Sequence, residues 1–88
     1  KKIMANAYCR ESGIALEAET DCCGVQFYAG NFIGEQTGKG GAAYHDRSAF
    51  CLESQFYPNA VNEPDFPSPV VKAGHTYHTE TSYRFYLR

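Results

Sequence analysis

No part of the sequence restricts the fold more than the stretch from His75 to Arg88. One of its faces takes the odd-numbered residues, namely His75, Tyr77, Thr79, Thr81, Tyr83, Phe85 and Leu87. The even-numbered residues form the other face, which is the more charged of the two. A period of two predicts a β-strand with one drier and one wetter side. A long strand of this kind is typical of an antiparallel sheet.

Three earlier stretches also predict strands. Met4–Arg10 and the alternating run Ile14–Asp21 are separated by a turn at Glu11-Ser12-Gly13, so we expect a hairpin. Gly24–Ala29 is rich in branched and aromatic residues, and Gly30-Asn31 has the composition of a turn. No segment shows a helical period. The sequence therefore predicts an all-β fold without substantial helix.

A further strand is indicated by the continuous apolar run Phe50-Cys51-Leu52, which is typical of a strand buried on both faces. Glu53 follows at the predicted end of this strand. A carboxylate fixed on a rigid strand is a candidate general base. On local chemistry alone, Glu53 is better interpreted as a solvated structural carboxylate, because structural carboxylates outnumber catalytic ones.

Two segments predict loops. Four glycines fall between Gly34 and Gly41, too many for the interior of a strand or helix, and their spacing fits neither a dinucleotide-binding nor a phosphate-binding loop. We expect a flexible surface loop there. The second segment contains Pro58, Pro64, Pro67 and Pro69, so an ordered loop or irregular crossover is predicted. A short strand is predicted to begin at Val70-Val71.

Size and composition limit the possible functions. A chain of 88 residues supplies about six strands, too few to cover their own sheets, so we expect part of a larger β-structure. The formal net charge is −2, without the basic patch of a nucleic-acid-binding protein and without an apolar run long enough to span a membrane. The four cysteines lack the spacing of a metal site or disulfide framework. Buried free thiols in the cytoplasm are expected.

Several stretches resemble one known family, the aldose 1-epimerases or galactose mutarotases. The segment Gly24–Phe32 resembles the family's GVQFYTGNF, and Arg47–Gln55 resembles SGFCLE-x-Q. Pro58–Pro64 and Phe66–Val70 are similar to the P-D-A-x-N-x-P and F-P-S-P-V-L stretches that follow, and Tyr77–Phe85 to the closing strand. The resemblance covers nearly the whole chain in the same order. It implies that residues 1–88 form the C-terminal part of a single large antiparallel β-sandwich domain, the galactose mutarotase-like supersandwich.

The resemblance also implies a reaction, in which an aldohexose ring opens and closes at C1. The family's base is the glutamate of the CLE segment, here Glu53, and the glutamine of the GVQ segment, here Gln26, contacts sugar hydroxyls. Tyr28 is a further candidate to flank the sugar, since aromatic faces pack on pyranose rings, although such residues are more often core; the same holds for Phe27. The reaction needs no cofactor and no metal. The implied partners are a monosaccharide substrate and the N-terminal part of the same enzyme as a separate chain.

Some family features are missing or altered. The acid histidine and other substrate-binding residues lie upstream of the matched segment, and His45, His75 and His78 are interpreted as surface or structural residues. Cys22-Cys23 replaces the family's polar-proline pair, and Ala49 stands where glycine is common. We therefore expect the isolated segment to be inactive.

Two alternatives remain open at this stage. One is a non-catalytic carbohydrate-binding β-module of the same fold that has kept Gln26. The other is a relative acting on hexose 6-phosphates, which requires a cluster of Lys and Arg that this segment does not show.

Overall fold

The computed structural model describes residues 1–88 and contains seven strands in three antiparallel sheets. The strands are β1 (Lys2–Tyr8), β2 (Ile14–Thr20), β3 (Gly24–Tyr28), β4 (Gln36–Thr37), β5 (Ala43–Tyr44), β6 (Cys51–Gln55) and β7 (Thr81–Leu87). The only helical elements are two short 3-10 turns, Lys39–Gly41 and Ala60–Asn62. The prediction of an all-β fold without substantial helix is confirmed. None of the helical segments has the length and apolar character required to cross a membrane.

The largest sheet has three strands in the order β1-β2-β7. The predicted hairpin is present, with Lys2 opposite Thr20 and Tyr8 opposite Ala15, and a bulge lies between Ile3 and Ala5. Its turn closes through a hydrogen bond from the Gly13 N–H to the Cys9 carbonyl (2.8 Å), with Gly13 at a φ of 77° that favours glycine. Strand β2 is central and supplies the most buried side chains of this sheet.

Strand β7 is shorter than the sequence predicted. The strand begins at Thr81, so the prediction that it begins at His75 is wrong. The reason is that β2 ends at Thr20, and beyond this point Asp21 takes the place of a strand partner. Its Oδ1 accepts hydrogen bonds from the Thr79 hydroxyl (2.6 Å) and the Glu80 N–H (3.0 Å).

The second sheet is the β3–β6 pair, and its two faces differ. Ser54 and Leu52 lie on the inner face, which is tied to β7: the Ser54 and Thr81 hydroxyls are 2.9 Å apart, and the Tyr83 hydroxyl donates to the Leu52 carbonyl at 2.9 Å. Val25, Phe27 and Phe50 share that face, and the rings of Phe27 and Phe50 are 6.0 Å apart. Since side chains alternate along a strand, Gln26, Tyr28, Cys51 and Glu53 point to the opposite, outer face.

The structure corrects two expectations about this second sheet. The run Phe50-Cys51-Leu52 is not buried on both faces, because only the inner face meets another sheet and Cys51 is exposed on the outer one. Glu53 is the central residue of β6 and does not end the strand. All four cysteines are free, as expected, but the expectation that they are buried is wrong, because three of them are exposed.

The two predicted loops differ in character. The glycine-rich segment contains β4, which forms a small hairpin with β5 instead of a wholly irregular loop. The Tyr44 ring occupies the space that a side chain at Gly38 would need, which explains a glycine at this position. The proline-rich segment is irregular, as predicted, and its Tyr57 and Phe66 rings pack edge to face at 5.2 Å. Val70-Val71 lies in this irregular segment and begins no strand.

The 88 residues do not enclose a core of large side chains. Five residues are buried, and the apolar ones among them are Ala15, Ala18 and Ala60. By contrast Phe85 is 68% exposed and Leu87 is 80% exposed. This surface agrees with the expectation that the chain cannot cover its own sheets.

Asp21 should make the free energy of unfolding depend on pH. The Thr79 hydroxyl, followed by the Glu80 N–H, holds the pKa of Asp21 below its usual value. A depressed carboxyl pKa stabilises the fold above the unfolded-state pKa of about 3.9, and this stabilisation is lost as the pH falls through the folded-state pKa. We therefore expect Asp21→Asn to lower the urea midpoint at pH 7 and to lower it much less at about pH 2.5.

The matched control is Asp65→Asn, in the exposed proline-rich segment, which should leave both midpoints close to the wild-type values. An equal loss for Asp21→Asn at both pH values would contradict the role given to the ionised carboxylate.

Candidate functional site

Gln26 and Glu53 stand directly opposite each other in the β3–β6 pair. Directly opposite residues of an antiparallel pair project to the same face, with Cβ atoms about 4.5–5.5 Å apart. Both side chains lie on the outer face and are exposed. The structure thus brings together a carboxylate and a carboxamide that the sequence analysis assigned separately. We refer to them below as the polar pair.

The carboxylate of Glu53 has no charged partner in the chain. The two ion pairs are Lys1 with Glu80 and Glu17 with Arg84, and neither involves Glu53. The amide nitrogen of Gln26 donates a long hydrogen bond of 3.4 Å to the Phe27 carbonyl, which leaves its oxygen available. A carboxylate can only accept, whereas an amide can donate and accept. The polar pair therefore suits a ligand with neighbouring hydroxyl groups.

Tyr28 lies at one end of the polar pair. It faces Cys51 in the register and is the next residue after Gln26 on the outer face. Its hydroxyl accepts a hydrogen bond from the Phe32 N–H at 3.0 Å, so its polar end is engaged with the following loop, and the residue is half-buried. Tyr28 can therefore offer its ring to a ligand. Phe27 lies on the inner face and is not part of this surface.

The other end of the polar pair is formed by Gly24 and Gln55, which face each other in the register. A Cβ at Gly24 would lie 3.0 Å from Cδ1 and Cε1 of Tyr57, so the tyrosine ring rests on the glycine. Tyr57 was not among the site residues assigned from the sequence. The glycine at the start of β3 was the available signal, because glycine in a strand often marks a close approach by another group.

The histidines and Arg47 have positions outside this surface. His45 and Ser48 form a local turn in which the Ser48 hydroxyl accepts from the His45 N–H (2.9 Å) and lies 3.1 Å from the His45 Nδ1. His75 and His78 lie in the exposed segment before β7. Arg47 has a left-handed φ of 65° and donates its N–H to the Gly30 carbonyl at 2.8 Å. Its backbone therefore anchors the chain before β6 to the end of β3.

No group of three or more His, Cys, Asp or Glu side chains is arranged to hold a metal ion. The groups available for chemistry on the outer face are the carboxylate, the carboxamide and the two tyrosine rings. Such a face can accept a proton and hold hydroxyl groups.

Comparison with known proteins places this arrangement in a family. Residues 1–84 match the family described as Aldose 1-epimerase. The chain belongs to the aldose 1-epimerase family. It is 45% identical over 86 residues to the galactose mutarotase of Bos taurus and 44% identical over 86 residues to that of Homo sapiens. It is also 33% identical over 87 residues to the aldose 1-epimerase of Escherichia coli (strain K12).

Each of these alignments covers 97% of this chain and 25% of the relative. The chain therefore spans about a quarter of the length of the curated relatives that it matches. Membership of the aldose 1-epimerase family confirms the resemblance stated from the sequence. The roles of Glu53, Gln26 and Tyr28 remain predictions.

Proposed function

We propose that these residues supply the base side of a mutarotase site that interconverts the α and β anomers of an aldohexose such as galactose or glucose. The observation that carries the proposal is the polar pair: Glu53 directly opposite Gln26 on the open outer face of β3–β6. Membership of the aldose 1-epimerase family supports it. The names of the similar proteins, galactose mutarotase and aldose 1-epimerase, point to the same chemistry.

In the proposed reaction the Glu53 carboxylate takes the proton from the C1 hydroxyl of the sugar. As the C1 oxygen forms a carbonyl, the bond from C1 to the ring oxygen breaks and an acid protonates that oxygen. Rotation about the C1–C2 bond then presents the other face of the aldehyde, and the two proton transfers run in reverse. The carboxylate is regenerated, so the cycle is balanced without a redox step.

Gln26 is proposed to fix the sugar in this reaction. Its amide reaches the same space as the carboxylate and can both donate to and accept from hydroxyl groups. Holding the hydroxyls of the ring keeps C1 within reach of Glu53, and this positioning contributes to the rate of proton transfer.

The acid is proposed to be a histidine outside these residues, on the N-terminal part of the enzyme. None of His45, His75 and His78 lies on β3 or β6. The apolar side chains left exposed, among them Phe27 at 59%, give such a partner a surface to pack on. The relatives are about four times as long as the matched stretch, which leaves room in them for an acid outside it.

The first prediction about function concerns the base. Glu53→Gln keeps the shape of the side chain but removes its ability to accept a proton, so we expect kcat for galactose mutarotation to fall by about 10²- to 10⁴-fold in the full-length enzyme. Polarimetry of freshly dissolved α-anomer measures the rate. The matched control, Glu11→Gln in the exposed β1–β2 turn, should keep the wild-type rate.

Unchanged turnover in Glu53→Gln would show that another group is the base. A wild-type enzyme that binds galactose without accelerating mutarotation would instead favour the carbohydrate-binding module.

The second prediction concerns Gln26. Gln26→Ala removes one neutral hydrogen-bonding group, so KM should rise by about 2- to 10-fold. Gln36→Ala, in the separate β4–β5 hairpin, is the matched control and should leave KM unchanged. An increase in KM for both variants would point to a general loss of structure.

The third prediction concerns the partner. The purified 88-residue chain alone should not accelerate mutarotation above the rate in buffer, because the proposed acid lies outside it. Adding the purified N-terminal part should restore activity. Clear activity of the 88-residue chain by itself would overturn the proposed division of the site.

A further inference from the structure

We infer that Tyr57 is a positioning residue of the sugar site, whose ring forms the wall opposite Tyr28. This inference rests on the proposed function, because it assigns Tyr57 to the same site as Glu53 and Gln26. It goes beyond that function by naming what recognises the carbon skeleton of the sugar.

The position of the Tyr57 ring follows from the strand register. Gly24 and Gln26 project to the same face of β3, since side chains alternate along a strand. The missing Cβ of Gly24 would point into the Tyr57 ring, at 3.0 Å from two of its carbons. The ring therefore lies on the outer face, beside the polar pair. Gly24 and Gln26 are two residues apart on the strand, which separates them by about 7 Å. The ring on Gly24 is therefore a neighbour of Gln26 and of the Glu53 carboxylate opposite it.

The ring is held in place by its surroundings. Phe66 packs against it edge to face at 5.2 Å. The Tyr57 carbonyl accepts a hydrogen bond from the N–H of Ala60 at 3.1 Å, and Ala60 is buried. Asn59 takes a left-handed φ of 61° within this turn. A ring fixed in this way loses little freedom when a ligand packs on it.

Tyr57 remains partly accessible. Tyr57 as a whole is 39% exposed although its ring is in contact with Gly24 and Phe66. Tyr28 occupies the opposite end of the polar pair, so the outer face carries a carboxylate and a carboxamide between two aromatic rings. A pyranose ring has hydroxyl edges and apolar C–H patches. The polar pair suits the first and the tyrosine rings suit the second.

This arrangement explains the glycine at position 24. A side chain there would require the Tyr57 ring to move by a few tenths of an ångström, because its Cβ would lie 3.0 Å from two ring carbons, and also 3.3 Å from the Gln55 carbonyl oxygen. Gly24 and Tyr57 therefore act together: the glycine provides the space, and the tyrosine fills it.

The test uses galactose mutarotation by the full-length enzyme. Tyr57→Ala should raise KM by about 3- to 10-fold while kcat changes by less than about twofold, since the ring contacts the sugar skeleton and not the reacting C1 oxygen. Tyr57→Phe keeps the ring and should restore KM to near the wild-type value. Gly24→Ala, which displaces the ring without removing it, should raise KM in the same direction.

Two outcomes would overturn the inference. One is an unchanged KM in both Tyr57→Ala and Gly24→Ala. The other is a Tyr57→Phe variant as impaired as Tyr57→Ala, since the hydroxyl and not the ring face would then be responsible. If Tyr57→Ala does not fold, as judged by circular dichroism, Tyr57→Leu and Gly24→Ala provide the decision.

A binding measurement separates this inference from the proposed function. In the Glu53→Gln background, the Kd for galactose should rise by about 3- to 10-fold on adding Tyr57→Ala. An inactive wild-type enzyme with this rise in Kd would contradict the mutarotase proposal and keep the role of Tyr57. An active wild-type enzyme without this rise would do the reverse.

Discussion

The register of the β3–β6 pair is the constraint on which the outer face depends. Gln26 meets Glu53 only because Gly24 is opposite Gln55 and Tyr28 is opposite Cys51. A slip of one residue in either strand would move that strand's side chains to the other face, separating the amide from the carboxylate and turning apolar residues outward. The inner face resists such a slip, because the Leu52 carbonyl and the Ser54 hydroxyl both form hydrogen bonds with β7. The packing of one face thus determines the chemistry of the other.

Hydrogen-bonded hydroxyl groups connect the two sheets. Thr81 is the centre of this connection, since its hydroxyl is 2.9 Å from that of Thr20 within the three-stranded sheet and 2.9 Å from that of Ser54 in the second sheet. Each such bond contributes only about 0.5–1.5 kcal/mol. Their main effect is on orientation, because hydrogen bonds are directional. They fix how the β3–β6 pair is oriented, and this leaves the polar pair on the side away from β2 and β7.

Much of this arrangement could be predicted from single stretches of sequence. Alternation assigned Thr81 and Tyr83 to the same side of β7, and the hydroxyls of both reach β6. The same alternation could not show where β7 begins, because its start is determined by the side chain of Asp21, which is distant in sequence. The apolar run before Glu53 was misinterpreted for a related reason. A continuous apolar run does not tell whether both faces of a strand are covered.

The site was predicted residue by residue but not as an arrangement. Resemblance to the aldose 1-epimerases assigned Glu53 and Gln26, and membership of that family is now established. That the two face each other follows from strand pairing, which no local pattern reveals. Tyr57 was missed because its place depends on a contact with Gly24 across the end of the sheet.

The hydroxyl connection between the sheets also has a consequence for folding kinetics. Thr20 and Thr81 are separated by 61 positions in the sequence, and the Thr20 hydroxyl donates a hydrogen bond to the Glu80 carbonyl, which is 60 positions away. Contacts between such distant parts of a chain form slowly, because the entropy of closing the intervening loop is lost before any contact compensates for it. The β1–β2 hairpin needs only local contacts and can form early. The pairing of β2 with β7 should therefore be among the last contacts to form as the chain folds.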